Sequence, residues 1–341
     1  MPGLVDALLA APAGVVLLAA LEREPRPDVS FLPLPAGRDP AAVGRAAAWV
    51  AGAPTGAVLA AAVEAAEALA GPWTPAAPGN LAVAFRSAAA RRPIAEALVA
   101  AHGAALVAPF DPSAQEVWLT GHPVGHGPRF ADLGAVYGGG EFPWAGLWTV
   151  TDPPPAAHDG LVSAWELFDG PVSRWRLPVR PGARVWTVDG PEEWAALVRA
   201  YPRPAVRPHG GWELPGLNQR PADLAALLAV PTQTAARERV AAHLLPDWAA
   251  VAADHDGVHL SWAGFLTTEG RVVDLGDGAV TMLRYWASER TLWLADVFGE
   301  PEPRPAPRLS GRVAGLLGAD PGGDPPRAGA DHAELARVLG R

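Results

Sequence analysis

The chain has 341 residues and contains no cysteine. This absence excludes disulfide bonds, thiolate nucleophiles and zinc sites built on cysteine. Lysine is missing as well, so all 27 Lys-or-Arg positions are arginine and no P-loop lysine exists. The Gly-x-Ser-x-Gly pattern of a hydrolase nucleophile elbow does not occur. No motif therefore fixes a chemistry. The cysteine-free composition fits a reducing compartment, and we expect the protein to be cytoplasmic.

An excess of basic charge is also lacking. The formal net charge is −9 and the pI of the sequence is about 5.5, whereas nucleic-acid-binding proteins usually carry a basic stripe. We therefore expect no nucleic-acid partner. The apolar run 7–21 is interrupted by Pro12 and Gly14 and is shorter than the roughly 20 apolar residues of a membrane span. We therefore expect no membrane association either.

Apolar segments late in the chain predict a compact sheet. Residues 257–268, 278–286 and 291–298 are rich in apolar, β-branched and aromatic side chains, and short polar breaks separate them. Residues 287–290 are predicted to form the hairpin loop between the last two strands. Alternating segments at 173–178 and 184–189 predict two further strands.

Alanine-rich segments predict helices in the first third of the chain, with a break near Arg91 and Arg92 because Pro93 cannot continue a helix. Another helix is predicted from Pro191, with acidic residues in its first turn. The predicted helices are 4–21, 41–51, 56–69, 81–101, 191–200, 224–228, 235–245 and 247–253.

The predicted fold class is α+β: an N-terminal Ala-rich helical region, then a mostly antiparallel sheet with several short helices. We expect a mainly helical domain over 1–150 that ends in a Gly/Pro/Trp-rich transition. An α+β domain with a Trp-rich sheet is expected over 160–300. A Pro/Gly/Arg-rich tail over 301–341 is expected to be largely disordered.

Tryptophan is unusually common, with 14 copies against three tyrosines. Most of these indoles are expected in the core, where each ring is buried and its N–H finds one partner. The alternative is an aromatic-lined cleft or an exposed binding patch. Trp144 and Trp148 lie in a Gly/Pro-rich segment, and we expect them to contact a protein partner.

Two histidines and two aspartates lie close together in the sequence: Asp254, His255, Asp256 and His259. Imidazole and carboxylate ligands together suit a divalent metal ion. The alternative is a polar turn between a helix and a strand, in which an aspartate caps the backbone, since Gly257 interrupts the helical spacing.

Residues 182–189, followed by a turn and the helix from Pro191, resemble the entry element of ADP-ribosyltransferase folds. This resemblance implies a role for Arg184 in holding a pyrophosphate and for Thr267 and Thr268 in orienting a ribose. It implies a catalytic glutamate at Glu300 or Glu289, which would stabilise an oxocarbenium-like centre, and it implies NAD as the cofactor.

Three functions are therefore compatible with the sequence. The first is a soluble protein-interaction module, which is the hypothesis that the composition and the loop tryptophans favour. The second is the NAD-consuming transferase, and the third is a metal-dependent enzyme at residues 254–259. The sequence leaves the oligomeric state open.

Overall fold

The computed structural model describes residues 2–23, 37, 39–66, 84–120, 147–153, 172–204, 242–284, 286 and 288–305. Its helices confirm the predicted helical first third and the helix after Pro191. They are α1 (Pro2–Ala10), α2 (Pro12–Glu22), α3 (Pro40–Gly52), α4 (Thr55–Ala66), a 3-10 turn (Ala88–Arg91), α5 (Arg92–Leu106), α6 (Pro191–Ala200), α7 (Trp248–Asp254) and α8 (Trp262–Thr268).

Proline at the start of a helix and close packing at glycine shape the N-terminal region. Pro12 begins α2, where the missing N–H has no partner to lose. A Cβ on Gly14 would overlap the carbonyl oxygen of Leu8, so glycine lets α2 lie directly against the end of α1. Nearly all of α2 is buried.

The guanidinium of Arg91 donates to Glu22 at 2.8 Å in a buried ion pair, which gives both charges a partner in the core.

The described strands are β1 (Gln115–Thr120), β2 (Leu147–Thr151), β3 (Val172–Arg176), β4 (Val185–Val188), β5 (Pro202–Pro204), β6 (Ala242–Pro246), β7 (Gly257–Leu260), β8 (Val272–Gly276), β9 (Ala279–Met282), β10 (Arg290–Trp293) and β11 (Glu302–Arg304). They form two sheets. Within the described residues, one sheet has seven strands in the order β11-β3-β1-β2-β10-β7-β4, and only its β4–β7 pair is parallel. The other has four strands in the order β5-β6-β9-β8. The pairing confirms the mostly antiparallel α+β prediction.

The two faces of the seven-stranded sheet have different environments, because successive side chains of a strand point to opposite sides. On one face, Val258, Leu260 and Leu292 belong to a large apolar core that also includes the N-terminal helices. Helix α8 connects the two regions, since it packs on both α1 and α2. On the other face, Trp175 and Trp293 belong to a smaller core.

Four local predictions were wrong. The single helix predicted over 4–21 is divided at Ala11 into α1 and α2. Residues 262–268 form α8 rather than a strand, because the Ser261 side chain caps the helix by accepting from the Gly264 N–H. Residues 242–245 lie in β6 rather than in a helix, since they pair with both β5 and β9. Residues 287–290 do not close a hairpin, because β9 and β10 belong to different sheets.

None of the described helices is by itself long and apolar enough to cross a membrane. Residues Gly3–Ala10 and Pro12–Glu22 pass that test of length and composition as a pair, with a bend of 89° between them.

Candidate functional site

Six polar side chains meet on the face of the seven-stranded sheet opposite the helices. We call them the strand-end cluster; its members are Gln115, Thr149, Thr151, His259, Glu289 and Thr291. The register explains the convergence. Thr291 lies opposite both His259 and Thr149 on its two neighbouring strands, and Gln115 lies opposite Thr151. Side chains directly opposite one another share a face, so four neighbouring strands place polar groups side by side.

Glu289 is the charged centre of the strand-end cluster and is 4% exposed. Thr151 donates to both of its carboxylate oxygens: the backbone N–H to Oε2 at 3.1 Å and the hydroxyl to Oε1 at 2.7 Å. Burial raises the pKa of Glu289 to about 7, although the Thr151 hydrogen bonds and the charge of Arg290 act in the opposite direction. A carboxyl group in this setting exchanges its proton near neutral pH.

His259 is the second ionisable group of the strand-end cluster. Its Nδ1 lies 3.0 Å from the Thr291 hydroxyl and 3.6 Å from Oε1 of Glu289. Burial lowers the pKa of His259 to about 4, so the ring is neutral at pH 7. The partly exposed ring of Phe110 lies against the imidazole with 5.1 Å between the ring centroids.

A row of hydrogen bonds leads away from Glu289 through the strand-end cluster. The Gln115 amide nitrogen donates to the Thr151 hydroxyl at 3.0 Å, and the Gln115 carbonyl oxygen accepts from the Thr149 hydroxyl. The indole N–H of Trp293 donates to Thr149 at 2.8 Å. The polar groups are thus joined into one network, which limits the cost of burying them.

Arg290 follows Glu289 in the chain and points to the opposite face. Its guanidinium donates to the Ser288 hydroxyl at 3.2 Å and lies 5.9 Å from the ring centroid of Trp148. Burial lowers the pKa of Arg290 to about 9, while the charges of Glu269 and Glu289 raise it. Arg290 therefore places a positive charge directly behind the strand-end cluster.

The structure does not bring the residues of the transferase hypothesis together. Arg184 is exposed directly before β4 and pairs with Asp256 at 3.6 Å. Thr267 lies near Gly190, which follows the other end of β4, so the length of this strand separates Thr267 from Arg184. Glu300 is exposed next to Gly299, whose N–H donates to Pro178.

The two threonines of that hypothesis are buried in α8 rather than at a strand end. The Thr267 hydroxyl donates to the carbonyl of Ala263 within the helix, and Thr268 is fully buried. The described geometry therefore gives these role assignments no support. The remaining alternative from the sequence, Glu289, lies in the strand-end cluster.

The residues proposed as metal ligands point in different directions. Asp254 accepts from the Tyr201 hydroxyl, and Asp256 accepts from the backbone N–H of Arg184. His255 packs edge-on against Trp186, whereas His259 lies in the strand-end cluster. Within the described residues, no group of three or more His, Asp or Glu side chains is arranged to hold a metal ion.

The tryptophans predicted to contact a partner cannot both be placed. Trp144 lies outside the described residues. Trp148 is part of β2, is half-buried and packs edge-on against Trp286 with 4.9 Å between centroids. Among the described residues, Val107 is the one large apolar side chain that is exposed. The interaction surface therefore stays a prediction.

The sequence interpretation missed most of the strand-end cluster. It assigned Glu289 to a hairpin loop and gave no role to Gln115, Thr149 or Thr151. One signal was present: His259 is the polar residue of an otherwise apolar strand, and Thr291 directly precedes the apolar pair Leu292 and Trp293. Such interruptions of an apolar pattern favour a buried polar site, but they do not show which strands are neighbours.

Comparisons with family models, with curated proteins and with solved structures found no match to this chain. Its function therefore has to be argued from the chemistry of the strand-end cluster itself.

Proposed function

We propose that this protein is an enzyme that uses general acid–base catalysis, with Glu289 as the group that takes up and releases the proton. One observation carries the proposal: a buried carboxylate is held by Thr151 on both oxygens and lies 3.6 Å from a neutral histidine. Burial of an ionisable group costs stability. Ionisable groups with shifted pKa values occur preferentially at functional sites, where they have a chemical role.

The position of the strand-end cluster supports this proposal. Strands β4 and β7 are parallel, and each leads into a helix: β4 into α6 and β7 into α8. His259 lies near the carboxyl end of β7 and Thr151 ends β2. Ligands of sheets with parallel strands commonly bind beyond the carboxyl ends of those strands.

The division of roles follows from the two environments. A catalytic base is most effective when its pKa is close to the working pH, and the pKa of Glu289 is about 7. His259 is neutral at that pH and offers one N–H donor and one acceptor nitrogen. Glu289 would therefore move the proton, and His259 would hold a substrate atom by hydrogen bonding.

A simple carbon acid tests the base without knowledge of the natural substrate. In 5-nitrobenzisoxazole a base removes the C–H proton, the N–O bond breaks and a cyanophenolate forms. We expect the full chain to accelerate this ring opening, with a rate that rises with pH through about 7 because the ionised carboxylate is the base. Glu289→Gln should lower the rate by about 100-fold.

Glu96→Gln is the matched control, since Glu96 is an exposed carboxylate on α5. It should leave the rate unchanged. Equal rates for Glu289→Gln and the unmodified chain, or no acceleration by either, would contradict the proposal.

A further inference from the structure

The hydrogen bonds that run from Trp293 to Glu289 all donate toward Glu289, starting with the indole N–H of Trp293. An indole N–H can only donate, so the Thr149 hydroxyl must accept from Trp293 and turn its own proton elsewhere. That proton goes to the carbonyl oxygen of Gln115. These contacts favour one of the two orientations of the Gln115 side-chain amide, which are otherwise ambiguous.

A second contact fixes the same orientation of Gln115. Its amide nitrogen donates to the backbone carbonyl of Asp111 at 3.0 Å as well as to the Thr151 hydroxyl. A flipped amide would place two oxygens against each other at Asp111. Because Thr151 accepts from Gln115, its single hydroxyl proton points at Glu289, where the bond is 2.7 Å.

We propose that Trp293 and Gln115 are positioning residues that orient the Thr151 hydroxyl toward Glu289 and thereby favour the ionised carboxylate. With the row reversed, Thr151 would donate to Gln115 and Glu289 would have to keep its proton in order to donate to Thr151. The backbone carbonyl of Asp111 opposes that reversed arrangement. The indole N–H adds to this effect, because Thr149 would then accept two hydrogen bonds and its own proton would have no acceptor in the row. Hydrogen bonds in a row polarise one another, so the effect extends from Trp293 to Glu289.

The orientation of the Thr151 hydroxyl follows from the hydrogen bonds alone. Its use in catalysis rests on the proposed function. Among the described residues, two other ionisable groups face or adjoin Glu289: His259, which is neutral above about pH 4, and Arg290, which stays charged up to about pH 9. Neither changes its charge near pH 7. A difference in the pKa of Glu289 between hydrogen-bond variants is therefore not caused by titration of these two neighbours.

The test measures the pKa of Glu289 directly in the full chain. Infrared spectra of protein with ¹³C-labelled glutamate show the protonated carboxyl band, which is assigned by its loss in Glu289→Gln. Trp293→Phe keeps a ring but removes the N–H, and it should raise the pKa of Glu289 by about 0.5–1 unit, the size of one ordinary hydrogen bond. Gln115→Met should raise it at least as much, and Thr151→Val should raise it most.

Trp248→Phe is the control, since the Trp248 indole is buried in the other core and its N–H has no hydrogen-bond partner among the described residues. This substitution should leave the pKa of Glu289 unchanged. If Trp293→Phe or Gln115→Met folds and leaves the pKa unchanged while Thr151→Val raises it, the orienting role is overturned. A shift in this series without Glu289-dependent proton abstraction would uphold the positioning role and reject the proposed function.

Discussion

Glu289 and His259 lie 3.6 Å apart, yet burial moves their pKa values in opposite directions. The usual pKa values of a glutamate and a histidine, 4.5 and 6.5, do not predict these shifts, and neither residue is part of a recognised sequence motif. His259 was singled out from the sequence for metal binding, which the described residues around it do not provide. Its neighbours in space, Thr291 and Glu289, come from a strand 30 or more positions away, which is why its environment could not be inferred locally.

The two shifts make opposite contributions to stability. The folded state holds the Glu289 proton up to about pH 7, whereas the unfolded chain releases it near pH 4.5, so this contribution is lost as the pH rises through that window. The lowered pKa of His259 has the reverse effect: its contribution is present above pH 6.5 and is lost as the pH falls toward 4. His243, whose pKa burial also lowers to about 4, acts like His259.

Glu289→Gln should therefore gain stability relative to the unmodified chain as the pH rises from 4.5 to 7. We expect the difference in the free energy of unfolding to change by about 3 kcal/mol across this window, since one pKa unit corresponds to about 1.4 kcal/mol. Urea denaturation at several pH values measures it, with Glu96→Gln as the control. Parallel stability profiles for Glu289→Gln and the unmodified chain would show that Glu289 titrates normally.

At the scale of elements, the connection from β7 to α8 places α8 between the seven-stranded sheet and the N-terminal helices. The apolar run 257–268 gave a continuous strand prediction because short apolar runs fit a strand and a buried helix equally well. The N-cap at Ser261 was the local signal for a helix. Gly264 was not recognisable as a contact point, because its role is to let α8 approach the backbone of β4.

Gly264→Ala should destabilise the protein by about 1–3 kcal/mol or more, because the added Cβ would overlap the Val188 carbonyl oxygen and push α8 away from β4. Thermal or urea unfolding measures the change.

Gly44→Ala is the matched substitution, in an exposed position of α3 with no neighbouring atom within 4 Å of the new Cβ. It should stabilise the protein by up to about 1 kcal/mol, since alanine favours the helix interior. A similar effect of both substitutions would mean that the contact between α8 and β4 is not tight.

At the scale of the whole molecule, the large core includes side chains from α1 through β10. Leu18 of α2 is fully buried in it together with Val258 and Leu292 of the sheet. The sequence suggested a helical domain and a separate α+β domain because the composition changes between them. Composition does not show whether two regions bury their apolar surfaces against each other.

We expect the helical region and the sheet to unfold together. Far-UV circular dichroism, which is dominated by the helices, and tryptophan fluorescence, to which only Trp49 and Trp73 contribute from the first 110 residues, should give coincident denaturation curves. Leu18→Ala should shift both curves equally, by about 2–5 kcal/mol of stability. Two separate transitions, with Leu18→Ala affecting the dichroism alone, would show independent domains.

The sequence by itself determined local features of this protein: the start of α6 at Pro191, the alternation of β3 and β4, the α+β class and the chemistry that missing cysteine and lysine exclude. These follow from periodicity and side-chain chemistry within a few residues. Tertiary structure alone decided the strand-end cluster, because Thr151 and Glu289 are 138 positions apart and meet only through the strand order. Burial in that place, rather than residue type, gives Glu289 a proton that it exchanges near neutral pH.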